Sequence, residues 1–402
     1  MKISIGSGAI IIVSKRSQSN IPAVSEVVLK LRSIAVHLLA RMYRPEERLF
    51  AFRLRRNGQG EILEGVSRRY TAIALIGLAG EDEHIVTQVL GNHSLEDVCD
   101  HLLKDIDLME DLGEVALTTW AARMIKYPRT HKAIEALRRF DPIKVVYPTI
   151  ELSWALTALI IESDEVTDMA LARNYATVLM DSFNLKTAIF PHGPIRKGLS
   201  ALCAHVSCFA DFVYPIQALS YYYQVTKEKR AAEIACRCAE HMCELQGLDG
   251  QWWWHFDVRT GRTLEHYPVY SVHQDSMVPM VLSALSRACG QDHSVSIEKG
   301  LRWLAHPAEK TDSLIDKEHN AIWRSVARRE PGRLVLGLQS AASYVHPAIR
   351  VPGVDVLFPP VLIDYESRPY HMGWILHAWR SNSEKKSERQ TSVVKKKHPL
   401  KA

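Results

Sequence analysis

The stretch Gly250–Leu285, GQWWWHFDVRTGRTLEHYPVYSVHQDSMVPMVLSAL, governs the reading of the whole chain. It sets three consecutive tryptophans, three histidines, three carboxylates and three phenylalanine or tyrosine rings ahead of an apolar run that begins near Met277. Trp252–Trp254 read as a strand, Thr260-Gly261 as a turn and His273-Gln274-Asp275 as a polar lead-in. Gln274–Leu285 then reads as a helix that is apolar on most sides. In an extended segment neighbours alternate between faces, so Trp252 and Trp254 are expected to point one way and Trp253 the other. Immediately upstream, Lys227–Gln246 repeats apolar residues at helical spacing on one face only. The unit is therefore an amphipathic helix, a polar loop with a hairpin, and an apolar helix.

That unit recurs in both directions. Leu49–Leu78 carries a hairpin around Arg56–Gly60, then Glu64, a polar cluster and an apolar helix; Ala321–Trp379 carries Ile322-Trp323-Arg324, then Asp364, Glu366 and Arg368, and a last helix. The amphipathic helices are expected at Ile21–Tyr43, Ser94–Ile106, Thr130–Phe140, Glu165–Phe183, Lys227–Gln246 and Val295–Ala305. The apolar ones are expected at Ser67–Leu78, Gly113–Ile125, Thr149–Ile161, Asp211–Tyr223, Gln274–Leu285 and Arg368–Trp379. A helix apolar all round must be covered on all sides. Six of each kind predict an all-α (α/α)6 toroid, with six inner and six outer helices and short β-hairpins in the long loops of one face. Pro22 opens the first helix, Pro45 stops it, and Ser67 caps the second. Residues 21–380 form the toroid domain in this reading, 1–20 an N-terminal extension and 381–402 a disordered basic tail.

Composition narrows the function classes. Of 402 residues, 47% are hydrophobic and 24% charged, which supports a large core. The net charge is +5, and the tail from Ser381 carries all of it, with seven Lys or Arg against two Glu. The body is thus near neutral, and no nucleic-acid surface is expected. The seven cysteines are odd in number and mostly sit in apolar runs, as free thiols of a reducing compartment do. Cys203, His205, Cys208, Cys236 and Cys238 match no standard zinc spacing, so neither metal nor cofactor is expected. Ile3–Val13 is apolar but diluted by Ser and Gly, without a clear cleavage site, and no run is long enough to span a membrane. The expected location is cytoplasmic.

The long connections assign a working face. Arg44–Val66, Asn184–Phe209, Gly247–His273 and His306–Ser367 all lead from an outer helix to an inner one, so they gather at one end of a two-ring toroid. The first turns of the inner helices point to the same end. They offer Arg68, Arg69, Glu114, Glu151, Asp211, His273, Gln274, Asp275, Asp364, Glu366, Arg368 and His371. Helix capping accounts for part of this set, since carboxylates there satisfy free backbone amides. The remainder suits a sugar, whose flat faces stack on aromatic rings and whose hydroxyls need fixed donors and acceptors. Asp275 and Asp211 are the candidate general acid and base. His273 or His255 with Tyr270 is the alternative set for proton abstraction, and His205 completes either. Trp252, Trp254, Gln274, Arg69, Glu151, Glu366 and Arg368 are the candidate substrate contacts, and the partner is a small saccharide or a polysaccharide end.

With this helix pattern, His205-Val-Ser-Cys-Phe-Ala-Asp211-Phe-Val-Tyr-Pro-Ile-Gln217 and Gly250-Gln-Trp-Trp-Trp254 resemble segments of the six-hairpin glycosidase-like superfamily, close to its uncharacterised bacterial members. The resemblance covers Ile21–Arg380. It implies an (α/α)6 toroid and a carbohydrate-active enzyme of glycoside hydrolase, lyase or epimerase type. Two other classes share concentric helices. Isoprenoid cyclases and prenyltransferases carry aspartate-rich runs, and here Gln251-Trp252 occurs once with no Asp-x-Asp-Asp. Lantibiotic-cyclase toroids would need a Cys, Cys, His zinc set. A non-catalytic sugar-binding or assembly scaffold is the third alternative. Glu330–Pro360 reads as a lid over the face or a partner-binding arm.

Overall fold

Helices that are apolar on every side end up inside, and helices apolar on one side surround them. In a computed structural model that describes residues 24–161, 168–194, 203–309 and 312–380, the chain folds into an (α/α)6 toroid. The helices are α1 (Val24–Met42), α2 (Arg68–Leu78), α3 (Glu83–Leu90), α4 (Leu95–Leu103), α5 (Leu112–Met124), α6 (Thr130–Arg138), α7 (Thr149–Ile160) and α8 (Met169–Ser182). They continue with α9 (Ala210–Thr226), α10 (Lys229–Glu244), α11 (Val278–Cys289), α12 (Ser294–Ala305), α13 (Leu334–Val345), α14 (Val354–Leu357) and α15 (Pro369–Ala378). The π-helical turn His273–Met277 leads directly into α11.

The inner ring is α2, α5, α7, α9, α11 and α15, each packed on the next, with α15 closing back on α2. In α7 every residue but Ile150 is buried, and in α5 every residue but Glu114. Around them stand α1, α4, α6, α8, α10 and α12. α10 shows the outer type, burying Ala231, Ile234, Ala235, Cys238, Ala239 and Met242 at three-and-four spacing. All twelve expected helices are present. The expected starts near Ile21 and Glu165, Pro22, the 1–20 extension and the 381–402 tail lie outside the described residues. Sequence reading missed α3 and α13, which the two-ring repeat does not contain.

Aromatic rings cross the axis. Trp154 of α7 meets Tyr214 of α9 edge-on with centroids 5.1 Å apart, Tyr214 reaches Trp374 of α15 at 6.1 Å, and Trp374 reaches Trp120 of α5 at 5.3 Å. The last two contacts join helices that are not ring neighbours, so these side chains fill the centre.

Strand pairing draws the long connections to one end. Strands β1 (Tyr43–Arg44), β2 (Leu49–Asn57) and β3 (Gly60–Val66) belong to the first connection; β4 (Val206–Cys208) to the fourth; and β5 (His255–Asp257), β6 (Arg262–Glu265) and β7 (Val269–Tyr270) to the fifth. The last connection holds β8 (Ile315–Asp316), β9 (Ala321–Ile322), β10 (Ser325–Ala327), β11 (Leu362–Asp364) and β12 (Glu366–Ser367). β12 pairs with β2, β10 with β7, and β4 with β5, all antiparallel. Connections far apart in sequence thus share sheets at the face where the inner helices begin. The tryptophan segment differs from expectation: the strand starts at His255, and Trp252–Trp254 precede it as irregular chain. Face alternation therefore does not apply to the three rings.

α2 and α15 meet through glycine. A Cβ on Gly77 would stand 2.4 Å from the Gly373 carbonyl oxygen, and one on Gly373 2.5 Å from the Ile73 carbonyl oxygen. Gly373→Ala is expected to destabilise the protein by about 3 kcal/mol, because backbone lies on both sides and cannot yield. Gly58→Ala, where nothing lies within 4 Å, should leave the urea midpoint nearly unchanged. Equal midpoints for the two variants would contradict this account of the seam.

Candidate active site

Two inner helices begin in the same way. Asp211 and Asp275 each sit in the opening turn, and each is followed four residues later by proline, Pro215 and Pro279. Proline has no N–H, so the carbonyls of both aspartates lose their helical donor. At the second site Val278 instead bonds the His273 carbonyl five residues back, which makes the π turn. The released Asp275 carbonyl accepts the Trp379 indole N–H at 2.5 Å. This Asp-x-x-x-Pro repeat is legible in the sequence, but hydropathy analysis passes over it.

Both carboxylates are fully buried and each faces a histidine. Asp275 meets His371 Nε2 with both oxygens at 2.8 Å, and His371 is itself buried. Asp211 lies 3.0 Å from His192 Nδ1 through Oδ2 and accepts the Cys208 amide at 2.8 Å and the Ser207 hydroxyl at 3.4 Å. Capping is thus part of the role of Asp211. His192 keeps 34% of its side chain exposed, so the Asp211 pair meets solvent where the Asp275 pair does not. Sequence reading passed over His192. Its local signal is Pro191-His192-Gly193-Pro194 in a long connection: Gly193 has φ +100°, and a Cβ there would press within 2.9 Å of Pro148 at the start of α7.

The other residues singled out in the sequence form two groups. In the first, Trp254 contacts His255 at 4.1 Å and Tyr270 edge-on at 4.8 Å, and Tyr270 contacts His273 at 5.3 Å. Arg333, on the last connection, lies over Trp254 at 5.0 Å. His273 is buried against Phe209, and burial pushes its pKa down to about 3, so the ring is neutral. His255 is also buried and pushed down to about 3, first by burial and then by the Arg333 charge. Gln274 bonds the Tyr270 carbonyl at 3.1 Å. Trp252 is a core residue, 1% exposed; a Cβ on Gly300 of α12 would stand 2.8 Å from its indole nitrogen. Of the three tryptophans, Trp253 and Trp254 are the half-buried ones, and Trp253 stacks on His266 at 4.3 Å.

The second group is built on arginine. Arg324 lies over Tyr270 at 4.9 Å and pairs with Asp364 at 3.2 Å and Glu366 at 3.5 Å. Arg368 lies over Phe52 at 4.7 Å, donates to the Tyr70 hydroxyl at 2.9 Å and pairs closely with Glu366. Burial raises the Glu366 pKa, but the Arg368 hydrogen bond and the Arg324 and Arg368 charges outweigh it, so the carboxyl stays below its usual range. Tyr70 stacks on Tyr370 at 4.7 Å. Arg69 pairs closely with Asp111 and at 3.2 Å with buried Glu151, and lies over Trp154 at 5.9 Å. Gly113 leaves room for this pair, since a Cβ there would meet Arg69 at 2.8 Å. Trp254, Tyr270, Arg324, Glu366, Arg368 and Tyr70 thus form one continuous rim. His205 stands apart, bonded to Ser343 of α13 at 2.7 Å. α13 lies against β6, and Arg259 also reaches the Ser343 carbonyl at 2.6 Å.

Solved structures share this architecture. An unsaturated glucuronyl hydrolase specific for heparin superposes with a TM-score of 0.59 at 14% identity over 90% of this chain and 97% of that one. A sugar epimerase from a ruminal bacterium gives 0.56 at 11% identity over 88% and 97%. An unsaturated glucuronyl hydrolase from Streptococcus agalactiae gives 0.53 at 12% over 94% and 97%. The fold is that of the six-hairpin glycosidase-like toroids, as the sequence segments implied. Neither a protein-family model nor a curated protein matches the chain.

Burial of neutral histidine makes stability fall in acid. An unfolded chain protonates His273 below about pH 6.5, whereas the native site resists until about pH 3. Between those values the residue removes about 1.4 kcal/mol per pH unit. His377, half-buried against Trp120 and Trp374 and pushed far down first by desolvation, adds to the same trend. Urea midpoints should therefore drop from pH 7 to pH 4, and the drop should be shallower by one proton in His273→Gln. An unchanged slope in that variant would show that His273 protonates in place.

Proposed function

We propose that the chain is a carbohydrate-active enzyme of bacterial type that binds an acidic saccharide end at the face where the inner helices begin. The observation that carries this reading is the half-exposed His192 held by buried Asp211 beside a rim of arginines laid on aromatic rings. Rings such as Trp254 and Tyr70 suit the apolar faces of a sugar, and the guanidinium groups suit a carboxylate. His192 is the acid–base group, and Asp211 fixes its orientation. Asp275 is too buried to touch a substrate, and with His371 it steadies the start of α11. His273, kept neutral, holds the Trp254–Tyr270 side of the cleft.

Similar folds in unsaturated glucuronyl hydrolases and a sugar epimerase support this substrate class. Hydrolysis of an unsaturated uronyl disaccharide is the reaction we favour, with epimerisation of a reducing sugar as the second to try. The free state of all seven cysteines supports a cytoplasmic location, and among the described residues no helix is long and apolar enough to cross a membrane.

The test is turnover of an unsaturated uronyl disaccharide, followed by the loss of its double-bond absorbance. His192→Gln should lower kcat by about 100-fold or more with the fold intact by circular dichroism. Arg333→Ala should raise KM several-fold at unchanged kcat, because it removes a rim cation. Full activity of His192→Gln rejects the assignment. Binding of acidic sugars without any product would instead favour the sugar-binding scaffold.

A further inference from the structure

We propose that His192, Cys208 and Asp211 form a binding site for one divalent transition-metal ion, zinc being the best match to the donors. The inference goes beyond the sugar reading and does not depend on it. An imidazole nitrogen, a thiol sulfur and a carboxylate oxygen all lie within 4.8 Å of one another. In a tetrahedral zinc site with bonds of roughly 2.0 Å to nitrogen and oxygen and 2.3 Å to sulfur, ligand atoms stand about 3.3–3.6 Å apart. His192 Nδ1 and Asp211 Oδ1 already stand 3.3 Å apart, the spacing that two ligands of one tetrahedral ion take, and the Cys208 thiol closes onto them by a side-chain shift.

The backbone holds each donor independently. Cys208 ends β4, in register with His255 of β5, and Asp211 lies in the first turn of α9. The His192 carbonyl accepts the Thr149 amide at the start of α7 at 3.1 Å. A supporting layer is present too: the Cys208 amide and the Ser207 hydroxyl donate to Asp211 Oδ2, which orients the carboxylate and leaves Oδ1 for a ligand bond. Asp211 is fully buried, while His192 and Cys208 are both partly exposed, so ion entry and a fourth ligand such as water come from their side.

The mixed donor set excludes calcium and magnesium, which take oxygen ligands. It suits a borderline ion such as zinc or cobalt(II). On binding, the Cys208 S–H bond breaks, its proton passes to solvent, and a sulfur–metal bond forms with no change of oxidation state. These three residues are of unlike type and irregularly spaced, so no standard ligand spacing reveals them. A bound ion would occupy the acid–base pair, and added zinc should then inhibit any turnover that uses His192.

The experiment is cobalt(II) titration of the full chain under reducing conditions, read by visible and near-ultraviolet absorbance. The expected result is one cobalt per chain with a thiolate-to-metal charge-transfer band, displaced by one equivalent of zinc. Cys208→Ser should abolish that band and weaken zinc binding at least about tenfold. His192→Gln, at a half-exposed position that should fold normally, should weaken binding to a similar degree. Cys203→Ser, outside the cluster, should behave as the parent does. Absence of the band in the parent protein overturns the proposal, and so does a band that survives in Cys208→Ser. The readout needs no substrate, so its failure is separate from failure of the sugar reading.

Discussion

Gly77 and Gly373 bring the first and last inner helices together backbone to backbone, and everything at the working face depends on that contact. Any side chain there would push α15 off α2 and open the ring. α15 also carries His371 and Trp379, which fix the Asp275 side chain and carbonyl. β12, just ahead of α15, pairs with β2, in the connection that leads to α2. Closing the ring therefore assembles the Arg368, Glu366 and Tyr70 part of the rim in the same step. A seam between helices almost 300 residues apart holds the first and last inner helices together.

Prolines shape the face from the other side. Pro215 and Pro279 lie where an inner helix would otherwise complete its first turns of hydrogen bonds. The released carbonyls and exposed amides make these helix starts polar inside an apolar ring. The buried carboxylates that occupy them are held by histidines, His192 of the connection leading to the same helix for Asp211 and His371 of the last inner helix for Asp275. Two similar pairs differ in one respect, access to solvent. That difference is what the proposed acid–base role of His192 rests on.

Hydrophobic periodicity made the rings legible, because inner and outer helices face different surroundings and the difference is written along each segment. The end at which the long loops gather was legible for a topological reason, since every outer-to-inner connection must return to the same side. Side-chain direction within the loops was not. The strand expected at Trp252 begins three residues later, and Trp252 goes into the core because Gly300 leaves a slot for it. His192 lies in the irregular connection before Asp211, and no periodicity links them. Arg324, Arg333, Tyr70 and Tyr370 were not legible as site residues, since their meaning comes from rings and carboxylates that only the closed toroid places beside them. His205, adjacent in sequence to the site, belongs instead to the docking of α13.

The closed ring also orders events during synthesis. Five of the six inner helices leave the ribosome before α15 exists, so α2 and α11 each wait with one flank uncovered. Local packing of each outer helix on its inner neighbour can proceed as the chain emerges, but the rim cannot. Until residue 369 is translated, the nascent protein is an open arc with apolar edges, of the kind chaperones bind. The toroid is thus closed by its sixth inner helix, and the rim comes into being only when that helix is in place.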